Sequence, residues 1–217
     1  MERTQSSRPN IGARPKVTLV QTFVSNLASV QAALRRLGAE VRLSRDPEEV
    51  VDAELLVLPG VGTFAAGAAS LAASGLDRAL AKRLEDGRPT LAICLGMQLL
   101  FEGSEESPPA RGIGVAGGAA RRLSIPAQDP PLPIPHLGWN RVEPAGDGIV
   151  EEGWAYFAHS YCVVEAPPGW TPSHTTYGRR FVAALERGRI LACQFHPELS
   201  GAYGLALMDR WMRGGAA

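Results

Sequence analysis

The stretch Pro89-Thr90-Leu91-Ala92-Ile93-Cys94-Leu95-Gly96-Met97-Gln98-Leu99-Leu100-Phe101 decides the fold of this chain. Apolar residues lead into one cysteine, a glycine follows two positions later, and an apolar helical pattern continues beyond it. This layout predicts a buried strand that turns sharply into a helix and exposes Cys94 at the turn. Unpaired N–H groups at the N-terminus of a helix favour a thiolate, so Cys94 is a candidate nucleophile.

Composition excludes several classes of protein. The 217 residues carry 22 Lys and Arg against 22 Asp and Glu, and this balance lacks the basic footprint of a nucleic-acid binder. No apolar run approaches the ~18 residues that span a bilayer, so no membrane partner is expected. Three cysteines in a chain of this length do not form a disulfide framework, which predicts a reducing, cytoplasmic location.

The N-terminus differs in composition from the rest of the chain. Residues 1–16 carry Arg3, Arg8, Arg14 and Lys16 against the single acid Glu2. Without an apolar segment this is not a secretory signal, and we expect a disordered basic extension before a domain of residues 17–217. An organelle-targeting segment is the alternative.

Strand and helix signals alternate along the first half of the chain, as in a parallel sheet covered by helices. Strands are predicted at 17–20, 41–43 and 54–58. Helices are predicted at 27–37, capped by Ser25 or Asn26, and at 64–83 with a break near Ser74-Gly75.

Hairpin signals appear in the second half. A strand is expected over 155–164, a hairpin between 181–185 and 190–195, and a last helix over 201–213. The fold class is therefore α/β, a single domain with a mostly parallel central sheet, flanking helices and added hairpin strands.

A second chemical motif lies far downstream, in Cys193-Gln194-Phe195-His196-Pro197-Glu198. The residue before a proline is biased towards extended backbone, where side chains two apart share one side. Glu198 is thus expected to hold one ring nitrogen of His196 while the other faces a thiol. With Cys94 these residues form a candidate nucleophile, base and orienting acid; a surface turn is the alternative.

Three further positions suit this chemistry. An oxyanion needs donors already in place, and the backbone N–H of Leu95 and of the glycine loop around Gly60 and Val61 are candidates. Gln98 lies one helical turn after Cys94, where it would face a polar substrate.

Zinc binding is the competing interpretation of the same residue types. His159 and Cys162 are three apart, and so are Cys193 and His196. Residues three apart in a strand face opposite sides of the sheet, so no metal site is predicted and the two cysteines are expected in the core.

These residues resemble the class I, or triad, glutamine amidotransferases, whose nucleophile region commonly reads Gly-Ile-Cys-Leu-Gly-Met-Gln. Residues 92–98 match it with Ala92 in place of the first glycine, and His196-Pro197-Glu198 matches the family's His-x-Glu element. Four further segments are similar to the glutaminase subunits of imidazole glycerol phosphate synthase: Leu58-Pro59-Gly60-Val61-Gly62, Leu100-Phe101-Glu102-Gly103-Ser104-Glu105-Glu106, Pro135-His136-Leu137-Gly138-Trp139-Asn140 and Tyr156-Phe157-Ala158-His159-Ser160-Tyr161.

The resemblance implies the chemistry and the partner. Glutamine would be hydrolysed through a γ-glutamyl thioester on Cys94, and ammonia would pass to a (β/α)₈-barrel cyclase in histidine biosynthesis, without a cofactor. It also implies a glutamine pocket and a partner interface. The pocket would be lined by Gln98, Gly60, Ser160 and Tyr161, and the interface by His136, Trp139, Asn140 and Tyr156.

Two departures from the family pattern are visible. The first strand continues as Gln21-Thr22-Phe23-Val24-Ser25-Asn26-Leu27, where the family has Asp-Tyr-Gly-x-Gly-Asn-Leu. Leu199 stands where the family has lysine, which would weaken a charged contact with the partner. The alternatives are the glutaminase subunit of another class I amidotransferase, and a non-catalytic relative that kept the fold.

Overall fold

Alternating strands and helices build the part of the chain that the computed structural model describes, residues 14–21, 27–127 and 131–214. Most of the predicted extension 1–16, and the divergent loop at 22–26 with its predicted helix cap, lie outside these residues. The strands are β1 (Lys16–Val20), β2 (Glu40–Ser44), β3 (Leu55–Gly60), β4 (Thr90–Cys94), β5 (Phe101–Ser104), β6 (Ala116–Arg122), β7 (His136–Pro144), β8 (Gly153–His159), β9 (Tyr161–Cys162), β10 (Thr171–Tyr177), β11 (Arg179–Arg187) and β12 (Ile190–Cys193). The helices are α1 (Leu27–Arg36), α2 (Pro47–Asp52), α3 (Phe64–Ser74), α4 (Leu76–Glu85), α5 (Leu95–Gln98), α6 (Gly201–Met212) and a 3₁₀-helix (Pro197–Leu199).

One sheet in the order β2-β1-β3-β4-β12-β11-β10-β7-β8 organises these elements. The first five strands in this order run parallel, and β11, β10, β7 and β8 extend the sheet with antiparallel pairs. A smaller sheet, β5-β6-β9, lies beside it. The predicted α/β class, with parallel strands first and hairpin strands added later, is confirmed.

Apolar side chains form a core on each face of the large sheet. Leu91, Ala92 and Ile93 of β4 alternate between the two cores, as expected for a strand buried on both sides. Helices α1 and α6 contribute to one core, and α2, α3 and α4 contribute to the other. None of the helices in the described ranges is long and apolar enough to cross a bilayer.

Most of the predicted elements are present, and two need correction. The helical segment 64–83 breaks at Gly75, whose φ of 70° ends α3 as predicted, and β11 pairs with β12 as the expected hairpin. The helix after Cys94 is only the four residues of α5, because the chain turns at once into β5. The strand expected over 155–164 is divided at Ser160 into β8 and β9, which belong to different sheets.

A buried arginine joins the helices to the edge of the sheet where strands β3 and β4 begin. Arg83 of α4 has no exposed surface. Its guanidinium donates to the carbonyls of Val50, Val51 and Ala53 at 2.8–3.2 Å, and to that of Pro89 at 2.6 Å. The first three carbonyls belong to the last turn of α2 and its C-cap, and Pro89 precedes β4, so one side chain satisfies the carbonyl end of a helix and fixes a strand. Burial lowers the pKa of Arg83 to about 10, which leaves it charged at neutral pH.

We expect Arg83→Met to destabilise the fold by about 3 kcal/mol or more, because several buried carbonyls lose their donor at once. Arg78→Met is the matched control, since Arg78 lies on the same helix and is exposed. Urea unfolding followed by circular dichroism measures both. Equal midpoints for the two variants would contradict the role assigned to Arg83.

Candidate active site

The turn at Cys94 has an unusual backbone. Cys94 has φ 53° and ψ −108°, and among the described residues it alone combines a side chain with a positive φ. Such a conformation costs about 1–3 kcal/mol and persists where its surroundings enforce it. Here it ends β4 abruptly and places the thiol at the carboxyl edge of the sheet, where α/β proteins bind ligands.

Two glycines allow this turn to form. A Cβ on Gly96 would lie 2.2 Å from the carbonyl oxygen of Leu58, and a Cβ on Gly60 would lie 2.7 Å from the amide nitrogen of Gly96. The end of β3 and the start of α5 therefore approach at a distance that excludes any side chain. Because α5 has only four residues, the N–H groups of this turn act locally, and the dipole of a long helix expected from the sequence is absent here.

His196 and Glu198 form a buried pair, with Nδ1 and Oε1 2.8 Å apart and side-chain exposures of 7% and 3%. The sequence pattern predicts extended backbone for both residues. His196 is extended, but Glu198 lies in the 3₁₀-helix that starts at Pro197. It is therefore the tight turn, and not the pleat of a strand, that returns the carboxylate to the imidazole.

The backbone of His196 is held on both sides. Its N–H donates to the carbonyl of Tyr156 at 2.9 Å, and its carbonyl accepts from the Ser200 hydroxyl at 2.6 Å. The same hydroxyl oxygen accepts from the N–H of Tyr156 at 2.9 Å. These bonds fix the position of the imidazole relative to β8.

Cys94 and His196 line one cavity of about 380 Å³, together with Val61, Leu95 and Glu106. The Sγ of Cys94 lies 3.8 Å from Nε2 of Gln194, which donates to it, and 4.0 Å from the carbonyl oxygen of Ala158. Cys94 is 6% exposed, so the thiol opens only into this cavity.

The charge of His196 is set by its neighbours. Burial alone would lower its pKa, but hydrogen bonding and charge from Cys94 and Glu198 outweigh burial and raise the pKa to about 10. An imidazolium at neutral pH favours the thiolate of Cys94 and can later donate its proton. Nucleophile, proton donor and orienting carboxylate are thus assembled for attack on a carbonyl carbon.

Comparisons with known proteins agree with this chemistry. The family model for class-I glutamine amidotransferases matches residues 18–210. Subunit HisH of imidazole glycerol phosphate synthase from Symbiobacterium thermophilum is 43% identical over 91% of this chain and 93% of its own length. The chain belongs to the class I glutamine amidotransferases, in the branch of the HisH subunits.

Two further relatives extend the comparison. The chloroplastic imidazole glycerol phosphate synthase hisHF of Arabidopsis thaliana is 36% identical over 97% of this amidotransferase, which spans 36% of that longer protein. A crystal structure described as a glutamine amidotransferase superposes with a TM-score of 0.71 at 21% identity, covering 91% of this chain and 98% of that one. That likeness shows the fold.

The predicted oxyanion and pocket residues of this amidotransferase lie at the cavity, with different uses. Val61 and Leu95 line it, whereas Gly60 packs behind them against Gly96. The amide nitrogen of Gln98 donates to the carbonyl of Tyr161 at 2.8 Å and to Oε1 of Gln194 at 3.1 Å. Gln98 therefore positions the wall of the pocket, and its NH₂ group is already engaged.

Ser160 and Tyr161 lie where β8 passes into β9 and line the cavity. The carbonyl of Ser160 accepts from the N–H of Leu123 at 2.8 Å, and that of Tyr161 also lies 3.0 Å from Nδ1 of His159. A substrate would use the other groups of these two residues.

The predicted interface residues divide into exposed and buried ones. Trp139 is 53% exposed, and its ring meets that of Tyr156 edge-on at 6.1 Å. Asn140 donates to the carbonyl of Thr176 at 2.8 Å at the surface. His136 needs correcting: it is 2% exposed and stacks between Tyr177 and Phe157, so its side chain cannot meet a partner.

Sequence reasoning missed four contributors: Gln194, Ser200, Glu106 and His159. Gln194 is fully buried and lies two residues before His196. Residues two apart in extended backbone share one side, so this spacing could have predicted that Gln194 lies on the same side as His196. Glu106 lines the cavity, and its Oε2 accepts from the N–H of Phe64 at 2.6 Å, which ties the cavity to α3.

Cys162 and Cys193 are core residues as predicted, and no group of three metal-ligating side chains forms within the described ranges.

We expect Glu198→Gln to lower the pKa of His196 below about 10, because the carboxylate is one of the two groups that raise it. Since the folded pKa lies above the ordinary 6.5, this interaction stabilises the fold fully below pH 6.5 and is lost as the pH rises through about 10. An NMR titration of the His196 ring protons measures the shift. Glu152→Gln, at an exposed carboxylate paired with Arg141, is the control; an unchanged titration in Glu198→Gln would refute the assignment.

Proposed function

We propose that this amidotransferase hydrolyses glutamine on Cys94 and delivers the ammonia to a (β/α)₈-barrel cyclase that makes imidazole glycerol phosphate and AICAR, in the cytoplasm. The observation that carries the proposal is the buried pair of His196 and Glu198 facing a thiol on a strained turn, in a cavity of about 380 Å³. That volume suits a single small-molecule substrate.

The first half-reaction follows from the geometry. The thiolate of Cys94 attacks the carboxamide carbon of glutamine, forming a C–S bond and moving the carbonyl electron pair onto oxygen. The N–H groups of Leu95 and of the Val61 loop stabilise this oxyanion. His196 then gives its proton to the departing nitrogen, and ammonia leaves as the carbonyl reforms in a γ-glutamyl thioester.

The second half-reaction regenerates the free enzyme. Neutral His196 takes a proton from water, which attacks the thioester carbon, and the C–S bond breaks to release glutamate and the thiolate. Glu198 orients the ring throughout and stabilises its charged form. Glu106, also on the cavity wall, supplies the negative charge that the α-ammonium group of glutamine requires.

The partner surface is the outward face of the β7–β8 hairpin. Leu137, Trp139 and Trp154 are 63%, 53% and 59% exposed, and the hairpin register places Trp139 opposite Tyr156. Leu137 also lines the catalytic cavity, so an apolar surface runs to the mouth of the site. A partner bound there would cover the mouth and receive ammonia before water protonates it. The Arabidopsis relative, named hisHF, is consistent with such a pairing.

The deciding experiment measures glutamate released from glutamine by this chain alone, and again with a cyclase partner and its nucleotide ligand. A low rate that rises many-fold with the liganded partner supports the proposal. A high rate that the partner does not change would assign the glutaminase to another pathway, and no release in any condition would favour a non-catalytic relative.

We expect Cys94→Ala to abolish glutamine hydrolysis, because no other side chain at the cavity can form the thioester. Cyclase activity driven by added ammonium salt should remain, since the fold and the docking surface are intact. Cys193→Ala is the control, at a fully buried thiol outside the cavity. Glutamate release by Cys94→Ala would exclude Cys94 as the nucleophile.

We expect Trp139→Ala to weaken the complex with the cyclase about tenfold or more, because exposed aromatic anchors carry much of an interface's energy. Leu43→Ala is the control, at a 39% exposed apolar residue on β2 at the opposite edge of the sheet. Isothermal titration of the cyclase measures both dissociation constants. Equal affinity of the two variants for the cyclase would show that the interface lies elsewhere.

A further inference from the structure

A second cavity, of about 300 Å³, lies outside the catalytic one and is lined by residues of β6, β9 and β11. Four arginines line it: Arg121 and Arg122 at the end of β6, and Arg179 and Arg180 at the start of β11. We call it the arginine cleft. Its lining shares no residue with the cavity at Cys94, so it is a separate site.

Arginines outnumber carboxylates in the lining of the arginine cleft. Glu105 is the one carboxylate in its lining, and its Oε2 already accepts from the backbone N–H of Arg122 at 2.9 Å. No side chain of the four arginines forms an ion pair or hydrogen bond with another residue in 14–21, 27–127 or 131–214.

Other arginines of the chain show the contrast. Arg42, Arg88 and Arg141 each pair with a carboxylate. In a chain of zero net charge, four arginines in the lining of one cavity, none of them ion-paired within the described ranges, concentrate positive charge there.

The interior of the cleft is apolar. Leu123, Cys162 and Phe181 are at most 5% exposed, while the side chain of Val164 is 46% exposed at its edge. Burial raises the pKa of Cys162 to about 12, so this thiol stays protonated and contributes a small apolar surface, not a nucleophile. The four arginines are exposed, so their attraction for an anion is screened by salt and is strongest at low ionic strength.

We propose that the arginine cleft binds a small organic anion that carries two or more phosphate charges. Guanidinium groups bind phosphate oxygens through paired, charge-assisted hydrogen bonds. Because successive strand residues face opposite sides, Arg121 shares the face of Cys162 and Arg179 shares the face of Phe181, and these two arginines lie on the side of the apolar lining. The apolar interior accommodates the organic part of the ligand. The volume is that of a small-molecule site and is too small for a macromolecular segment of any length.

The test uses the full-length protein and two probes, adenosine triphosphate and inorganic triphosphate, with binding measured by isothermal titration at low salt. The variants R121Q/R122Q and R179Q/R180Q each remove two positive charges from the cleft. The matched control R35Q/R36Q removes two charges from adjacent exposed arginines at the end of α1. Circular dichroism verifies that all three remain folded.

We expect adenosine triphosphate to bind at one site and more tightly than inorganic triphosphate. Its affinity should fall about tenfold or more in each cleft variant. The control should bind as the unmodified protein does. Absence of saturable binding, or equal weakening by R35Q/R36Q, would overturn the site. Equal affinity for the two probes would overturn the claim that the organic part of the ligand contributes to binding.

Discussion

The close approach of two backbones at Gly60 and Gly96 is the constraint on which the catalytic site depends. The carbonyl of Leu58 occupies the space where any residue but glycine at position 96 would place its Cβ. This contact lets the end of β3 lie directly beside the turn at Cys94, where Gly60 pairs with Cys94. The strain at Cys94 is sustained because β4, between β3 and β12 in the sheet, cannot shift to relieve it.

Three buried histidines near the site, His136, His159 and His196, differ in the pKa of their imidazoles. Burial acts on all of them in the same direction, since it disfavours the charged form. Burial lowers the pKa of His136 to about 4 and that of His159 to about 3, whereas that of His196 is raised to about 10. The difference is the pair of acidic neighbours, because His196 alone of the three contacts a carboxylate and the reactive thiol.

The neutral state of His159 also fixes its tautomer. Its Nδ1 lies 3.0 Å from the carbonyl of Tyr161, which can only accept, so Nδ1 carries the proton. The ring of His159 thereby links β8 to the start of β9, and the amide nitrogen of Gln98 donates to the same carbonyl. This part of the pocket wall is thus held by two neutral donors, and it adds no charge beside His196 and Glu198.

Local signals in the sequence predicted the elements that local chemistry determines. The apolar run into Cys94, the break at Gly75 and the 181–195 hairpin were all visible in the pattern. Helix α2 was missed although Asp46 caps it and Pro47 opens it, a standard N-terminal signature. That helix is six residues long, and its stability depends on Arg83, a contact about thirty residues distant that no local pattern reveals.

The candidate site shows the same limit. Motifs placed Cys94, His196 and Glu198, whereas the burial of His136 could not be foreseen. It results from the stacking of its ring on Tyr177, which β7 reaches only by pairing with β10 late in the chain. Likewise the four-residue length of α5 follows from the pairing of β5 with β6, which overrides the helical pattern of residues 95–101.

The hairpin β7–β8 connects the exposed apolar face to the chemistry through one residue. The side chain of Tyr156 contacts Trp139 on the outside, while its backbone carbonyl accepts from the N–H of His196 and its N–H donates to Ser200. Tyr156 thus contacts both the exposed aromatic surface, through its ring, and the backbone that positions His196, through its two peptide groups. An occupant of this face would therefore touch the residue whose backbone carbonyl accepts from the N–H of His196.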